Sequence, residues 1–365
     1  MNLAAALEAA ADLETPLAVR DDTAMERNLL RMASLARHAG IRLRPHAKTH
    51  KSPAVARRQM DLGAVGLTVA TLQEAEVFAD AGITDLVIAH PTVGRAKLSR
   101  LGHLCDRLER IAVALDNVAV ARDLPGAVEV LWEVDTGQHR IGTAPGEATR
   151  AAVAELVGEI GQGRLRGLMT HGGHAYRAAG ESAARTAAAA ESEEIAKTAQ
   201  LLRDSGIKVR EVSVGSTPTA RFAGEFAGIS EMRPGTYVYG DAGQVALGSH
   251  EIEDCAVAVV ATVVSTPAPD RSVVDAGSKS ISSDRLVPTL DGYGIVIGHP
   301  HLAISRLSEE HAVLTGEPNS RLKVGDRVVL IPAHVCTTVN LHAYLLAFEP
   351  GGKAKWDPVT ARGWR

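Results

Sequence analysis

The stretch Ala64-Val65-Gly66-Leu67-Thr68-Val69 is a short β-like run, Leu72 to Ala81 carries a helical segment, and 85–89 is β-like again. Working outward from it, the same rhythm repeats. β-like runs fall at 42–46, 64–69, 85–89, 110–115, 127–134, 164–170, 210–214 and 232–238. Helical segments separate most of them, among them Gly146 to Gly161 and the Ala/Glu-rich 181–205. Another, from about Thr23 to His38, carries apolar positions at helical spacing and stops at Gly40, a favourable residue after a helix end. About eight β/α units in roughly 220 residues is the length and rhythm of a (β/α)8 TIM barrel. A doubly wound open sheet fits the same alternation, but no Gly-x-Gly-x-x-Gly follows an early strand.

On either side of the barrel the texture changes. Leu17-Ala18-Val19-Arg20 reads as a short strand. After Gly240, β-rich runs at Val257 to Val264, Val273-Val274, Tyr293 to Ile297, Arg327 to Ile331 and Ala343 to Phe348 are separated by Pro/Gly/Asp turns. The expected organisation is a barrel over 21–240 and a mainly β domain built from 1–20 and 241–365. The polar tail from Pro350 to Arg365 reads as loosely held.

Composition narrows the class. Hydrophobic residues make up 45% and charged residues 22%, an ordinary globular balance with ample material for a core. A net charge of -4 gives no reason to expect nucleic acid. The longest nearly uncharged run, Cys255 to Pro269, is too short and too β-branched for a membrane helix. The N-terminus lacks a basic region and meets Glu8 early, so no signal peptide is expected. Cys105, Cys255 and Cys336 are too widely spaced for a disulfide framework, which suits a reduced, cytoplasmic setting.

In such a barrel, chemistry gathers where strands end and loops begin. The strand ends carry Arg44-Pro45-His46-Ala47-Lys48-Thr49-His50-Lys51, Asp135 to Arg140, Thr170 to Tyr176, Gly215 to Thr219 and Arg233 to Thr236. Crowded cations disfavour one another's charge, so the first run could hold a lysine nucleophile, at Lys48 or Lys51; a solvated basic loop reads the same. Gly215 to Thr219 and Gly235-Thr236 suit a phosphate, because small residues let backbone N–H groups approach and hydroxyls add donors. A phosphate seat, a lysine and two arginines in one mouth point to pyridoxal phosphate.

With these motifs the chain resembles the fold-type III pyridoxal phosphate enzymes, alanine racemase-like in the barrel and closest to the D-threonine aldolase and D-serine dehydratase branch. The resemblance implies that Lys48 is the Schiff-base residue, with Lys51 a bystander or charge tuner. It implies Arg140 at the cofactor's phenolic oxygen, His171 against the ring face, and Ser216, Thr217, Gly235 and Thr236 around the phosphate. Arg233 would meet the pyridine nitrogen, and Tyr176 is a further cofactor-side candidate. The racemases' second base, a tyrosine from the C-terminal domain, has no match, which counts against racemisation. Pro332-Ala333-His334-Val335-Cys336-Thr337-Thr338 resembles the branch's metal segment. In an extended strand, positions two apart point the same way about 7 Å from each other, so His334 and Cys336 could share one ion. Zinc suits a thiolate better than manganese.

The implied reaction is a metal-assisted lyase step on a β-hydroxy-D-amino acid. Removal of the α-proton by Lys48 leads to a keto acid and ammonia, as in D-serine dehydratase. A base at the hydroxyl, with His174 the candidate, leads instead to glycine and an aldehyde, as in D-threonine aldolase. The His-x-Cys spacing and the His-Gly-Gly-His-Ala-Tyr loop lean towards the dehydratase. A non-catalytic pyridoxal phosphate-binding barrel, or a sugar- or phosphate-binding barrel, is the alternative from another class. Enzymes of this kind are generally head-to-tail homodimers, in which His334 and Cys336 could serve the partner's Lys48.

Overall fold

Two sheets organise the chain in the computed structural model, which describes residues 1–363 apart from 179, 226 and 317–321. The first sheet has eight strands, all pairs parallel. From one edge they run Arg42–Leu43, Glu231–Met232, Glu211–Val214, Leu165–Met169, Glu129–Glu133, Arg110–Leu115, Asp85–Ile88 and Leu67–Val69. The segment leaving the first strand also bonds to the opposite edge: the Val65 N–H donates to Leu43, Thr68 to Pro45 and Ala47 to Thr68, at 2.8–2.9 Å.

Alternation along these strands sets two unlike faces. Leu67, Leu86, Ile111, Val113, Val130, Trp132, Leu168 and Val212 face the helices and join the main apolar core. The other face has only a thin apolar layer, Val87, Ala112, Ala114, Leu131 and Met169. Below that layer lie charges. Arg44, 1% exposed, binds Glu231 at 2.9 Å and Asp85 at 2.8 Å. Arg166, fully buried, binds Glu211 at 2.7 Å and Asp85 at 3.3 Å, and Arg110 and Arg210 reach Glu129 at 3.1 and 2.6 Å. Each charge of this network has its counter-charge, without which it would be strongly destabilising.

Helix Asp22–Ala39 shows how local sequence sets the ends of elements. The Asp21 carboxylate accepts from the Ala24 N–H, and Gly40 closes the helix in the left-handed region (φ 65). Helix Pro53–Asp61 starts with proline in its first turn after Ser52.

The second sheet is largely antiparallel, in the order Arg271–Val274, Ala312–Gly316, Leu302–Leu307, Gly294–Val296, Arg327–Pro332, Val257–Ala268, Leu17–Asp21, Tyr344–Phe348 and Lys355–Pro358. Leu17–Asp21 pairs antiparallel with the strand from Val257 and parallel with Leu346 to Phe348, so chain from both ends is woven together.

Three readings need correction. The β-like run 232–238 is a strand only to Met232; Pro234 has no N–H to continue a ladder, and Thr236–Val238 is a 3-10 turn. The segment 42–46 is a strand over two residues, with His46 making an isolated bridge to Thr68. The tail is not loose: Lys355–Pro358 is a strand on Tyr344–Phe348, and the Ala361 N–H donates to Lys51 at 3.0 Å. Polar side chains do not prevent order when backbone groups find a sheet edge.

Candidate active site

The run after the first parallel strand separates its cations. Arg44 turns away into the ion network. Lys51 pairs with Glu74 at 2.6 Å, whose second oxygen accepts from the Ala70 N–H at 2.6 Å. His50 is buried edge-on to Phe78, and burial holds it down to about 3. Lys51 lines the larger of two cavities and His46 the smaller, whereas Lys48 lines both. Burial lowers its pKa, with Arg140 and Arg233 adding to the effect against Cys336 and Glu74. The cations that matter to Lys48 therefore come from distant strands rather than from its sequence neighbours.

Lys48 lines two cavities. The smaller, about 280 Å³, is also lined by Arg140, His171, Gly215 and Arg233. The His171 Nδ1–H donates to the Gly215 carbonyl at 2.8 Å, and burial, with Lys48 and Arg140, holds the ring down to about 3, so it is neutral near pH 7. Arg233 donates to Ser213 Oγ at 2.5 Å and to the Thr170 carbonyl. Arg140 makes no hydrogen bond or ion pair among the described residues, so its guanidinium is open to a ligand. Gly215 sits at φ 151, where a Cβ would meet the Arg233 nitrogen at 2.8 Å, so only glycine fits.

Groups with the chemistry to bind a phosphate lie alongside. The backbone N–H groups of Ser216 and Gly235 have no hydrogen-bond acceptor among the described residues. Thr217 Oγ1 accepts from the Tyr237 N–H at 3.0 Å, and Ser216 Oγ donates to Gly172 at 3.2 Å. Tyr176 is buried and hydrogen-bonded to Thr236; burial, with Cys336, pushes its phenol well above the usual range. Unused amides beside small residues and a free arginine are what pyridoxal phosphate requires, so these residues fit the group.

The larger cavity, about 680 Å³, places Lys48 and Glu74 with His90, His334, Cys336 and Asn340. His334 and Cys336 are not on a strand: His334 caps helix Val335–Leu341 and Cys336 lies in its first turn. The strand ends at Pro332, and the Val335 N–H donates to buried Asp241 at 3.0 Å, which starts the turn. The pair still meets. His334 hydrogen-bonds Cys336, and its Nδ1–H donates to Asp284 at 2.7 Å. Burial opposes the imidazolium, but Cys336 and Asp284 outweigh it and raise His334 to about 10. Burial likewise opposes the thiolate, but His334, Lys48 and Thr49 hold Cys336 below its usual range. No group of three or more His, Cys, Asp or Glu that could hold a metal occurs among the described residues. An imidazole and an acidified thiol fit a zinc-like ion with coordination positions left open.

His174 is not brought into either cavity; its ring stands by Gly137, where a Cβ would meet it at 3.4 Å. Sequence reasoning missed Glu74, Asp284 and Glu133. Glu133 ends a buried strand, and burial pushes it up to about 7 against Arg233 and Arg140; its Oε2 has no partner among the described residues. A glutamate closing the apolar run Val130-Leu131-Trp132 was its available signal.

The family follows from the whole chain. The alanine racemase N-terminal domain matches residues 21–243, and a putative serine dehydratase domain matches 256–348. The chain belongs to the fold-type III pyridoxal phosphate family. Among its relatives is a D-threonine aldolase of Arthrobacter sp, 35% identical over 97% of this chain and 94% of the relative. The D-threo-3-hydroxyaspartate dehydratase of Delftia sp. (strain HT23) is 34% identical over 96% and 98%; its solved structure has a TM-score of 0.88, at 33% identity over 97% and 99%. A cysteine-to-alanine variant of that dehydratase has been solved in a metal-free form. A D-serine dehydratase of Dictyostelium discoideum is 29% identical over 90% and 92%.

Proposed function

We propose that the chain is a pyridoxal phosphate-dependent, divalent-metal-assisted lyase acting on β-hydroxy-D-amino acids, with the reaction of a D-serine dehydratase, D-serine to pyruvate and ammonia. The observation that carries this is the position of Lys48, shared between the wall with Arg140, His171 and Arg233 and the wall with His334 and Cys336. The eight parallel strands form a closed (β/α)8 barrel over 21–240, a reading supported by the bonds of the 43–47 segment to the opposite sheet edge. Residues 1–20 and 241–365 make the β domain.

Lys48 would carry the cofactor, with Arg140 the candidate for its phenolic oxygen, His171 for its ring face and Arg233 for its ring nitrogen. Ser216, Thr217, Gly235 and Thr236 hold its phosphate, with Tyr176 behind them. Pyridoxal phosphate, when bound, supplies the electron sink that lets a bond at the substrate's Cα break. His334 and Cys336 would hold the metal, zinc before manganese, which would supply Lewis acidity towards the β-hydroxyl. Lys48 Nζ, whose pKa burial lowers and so shifts towards the neutral amine, would accept the Cα proton. Glu74 pairs with the nearby Lys51 at 2.6 Å, whereas Lys48 makes no ion pair among the described residues.

The second reading, a D-threonine aldolase, is supported by the 35% identical relative. It needs a base at the hydroxyl, and the position of His174 outside both cavities favours the dehydratase. The protein is a cytoplasmic homodimer in this reading; its three cysteines are free, as a reducing compartment keeps them.

Borohydride reduction followed by peptide mapping is expected to place a pyridoxyl group on Lys48; its absence there would remove the central assignment. Assays with D-serine and D-threonine, with and without chelator, are expected to give chelator-sensitive pyruvate from D-serine. Acetaldehyde from D-threonine without pyruvate from D-serine would make the enzyme the aldolase, and chelator-insensitive turnover would remove the metal from the reaction.

A further inference from the structure

Arg233, which lines the smaller cavity, is held through both of its Nη nitrogens. Nη1 donates to Ser213 Oγ at 2.5 Å and Nη2 to the Thr170 carbonyl. Ser213, from the neighbouring strand, has a single hydroxyl proton, and it goes to Glu231 Oε1 at 2.7 Å. Its lone pairs must therefore face the arginine. Glu231 Oε2 accepts from Arg44 Nε at 2.9 Å, and Arg44 grips Asp85 at 2.8 and 3.1 Å. Ser213 and Glu231 are both 0% exposed, so water cannot substitute for either bond. Burial works against the Glu231 carboxylate, but Arg44 and Ser213 outweigh it and keep it ionised.

We propose that Ser213 and Glu231 are positioning residues that fix the Arg233 guanidinium in the wall of the smaller cavity, through a hydrogen-bond chain anchored at Arg44. The proposal rests on reading that cavity as the cofactor's seat. The polarity of the chain runs one way only: an ionised Glu231 takes the Ser213 proton, and Ser213 can then only accept from Arg233. An alanine at 213 removes one oxygen and little volume, yet takes an acceptor from Arg233 and a donor from Glu231 at once. The arginine would keep its charge but lose its direction.

The test uses purified full-length wild type, Ser213→Ala and Ser213→Thr, each saturated with pyridoxal phosphate. Wild type must first give the pyridoxyl adduct at Lys48; without it the underlying reading falls, whatever the variants do. Given the adduct, Ser213→Ala is expected to bind the cofactor about tenfold more weakly, the loss fitting one hydrogen bond to a charged group. Its visible absorption band should shift, and kcat should fall about tenfold with KM within about twofold, while thermal melting shows a folded protein. Ser213→Thr keeps the hydroxyl and is expected to restore the cofactor affinity and the band. Wild-type affinity and spectrum in Ser213→Ala would overturn the proposal. So would a threonine variant no better than alanine, because volume rather than the hydroxyl would then matter. If alanine prevents folding, Glu231→Gln, which keeps the size and removes the charge, decides: it must show the spectral shift, and a wild-type spectrum there would overturn the proposal.

Discussion

His334 donates through Nδ1 to Asp284 and also hydrogen-bonds Cys336, so its ring is oriented by a carboxylate that is no part of the His-x-Cys motif. A carboxylate behind an imidazole fixes its tautomer and raises its basicity as a ligand. Asp284→Ala is therefore expected to weaken zinc binding about 10- to 100-fold, measured by competition with a chromogenic chelator. Equal affinity in variant and wild type would make Asp284 a bystander. The same scale shows what a linear motif hides. Lys48 and Lys51 stand three positions apart and both line the larger cavity, but only the fold gives Lys51 a glutamate partner and places Lys48 at the smaller cavity as well. The cations that depress Lys48, Arg140 and Arg233, are not among its chain neighbours.

Among the elements, the short strand Lys355–Pro358 carries more than its polar sequence suggests. Asp357 binds Arg20, which is 3% exposed, and accepts from Ser52 Oγ at 3.5 Å; beyond the strand, Ala361 donates to Lys51 and Gly363 lines the larger cavity. The strand thus braces the Lys48 turn from behind. Asp357→Asn is expected to lower stability by about 2 kcal/mol, as a charge-assisted bond to a buried arginine is weakened while Asp22 still pairs with Arg20. Urea unfolding checks this, and a change below about 0.5 kcal/mol would contradict it. The helix Val335–Leu341 makes a related point. The i, i+2 spacing implies a strand, but the pair converges with His334 extended (φ -137, ψ 108) ahead of the helix and Cys336 in its first turn.

Over the whole molecule, burial of titratable groups couples stability to pH. His250 is 6% exposed, its Nε2–H donates to the Tyr237 carbonyl at 3.1 Å, and burial lowers it to about 4. Its unfolded value is near 6.5, so between pH 6.5 and 4 the unfolded chain binds the extra proton and stability falls as pH falls. Glu133, raised to about 7, acts in the opposite sense. A comparison with His250→Gln, which keeps a donor for Tyr237, isolates the one histidine. Below pH 6.5 wild type should lose stability relative to the variant by up to about 1.4 kcal/mol per pH unit, read from urea midpoints at pH 7.5, 6.0 and 5.0. Parallel curves for the two proteins would refute the assignment.

By itself the sequence determined the alternation of short apolar strands with amphipathic helices, the β-rich C-terminal third and the polar motifs at the strand ends. These are local properties: periodicity, turn residues and the motif residues can be read without knowing who their neighbours are. Only the tertiary structure decided which lysine lines both cavities, that Asp284 backs His334, that His174 stands apart, and that Arg44, Ser213 and Glu231 join Arg233 in one buried chain. Those outcomes depend on side chains far apart in sequence meeting across the inner face of a sheet, where the energy of a charge is set by its partner and its burial rather than by its place in the chain.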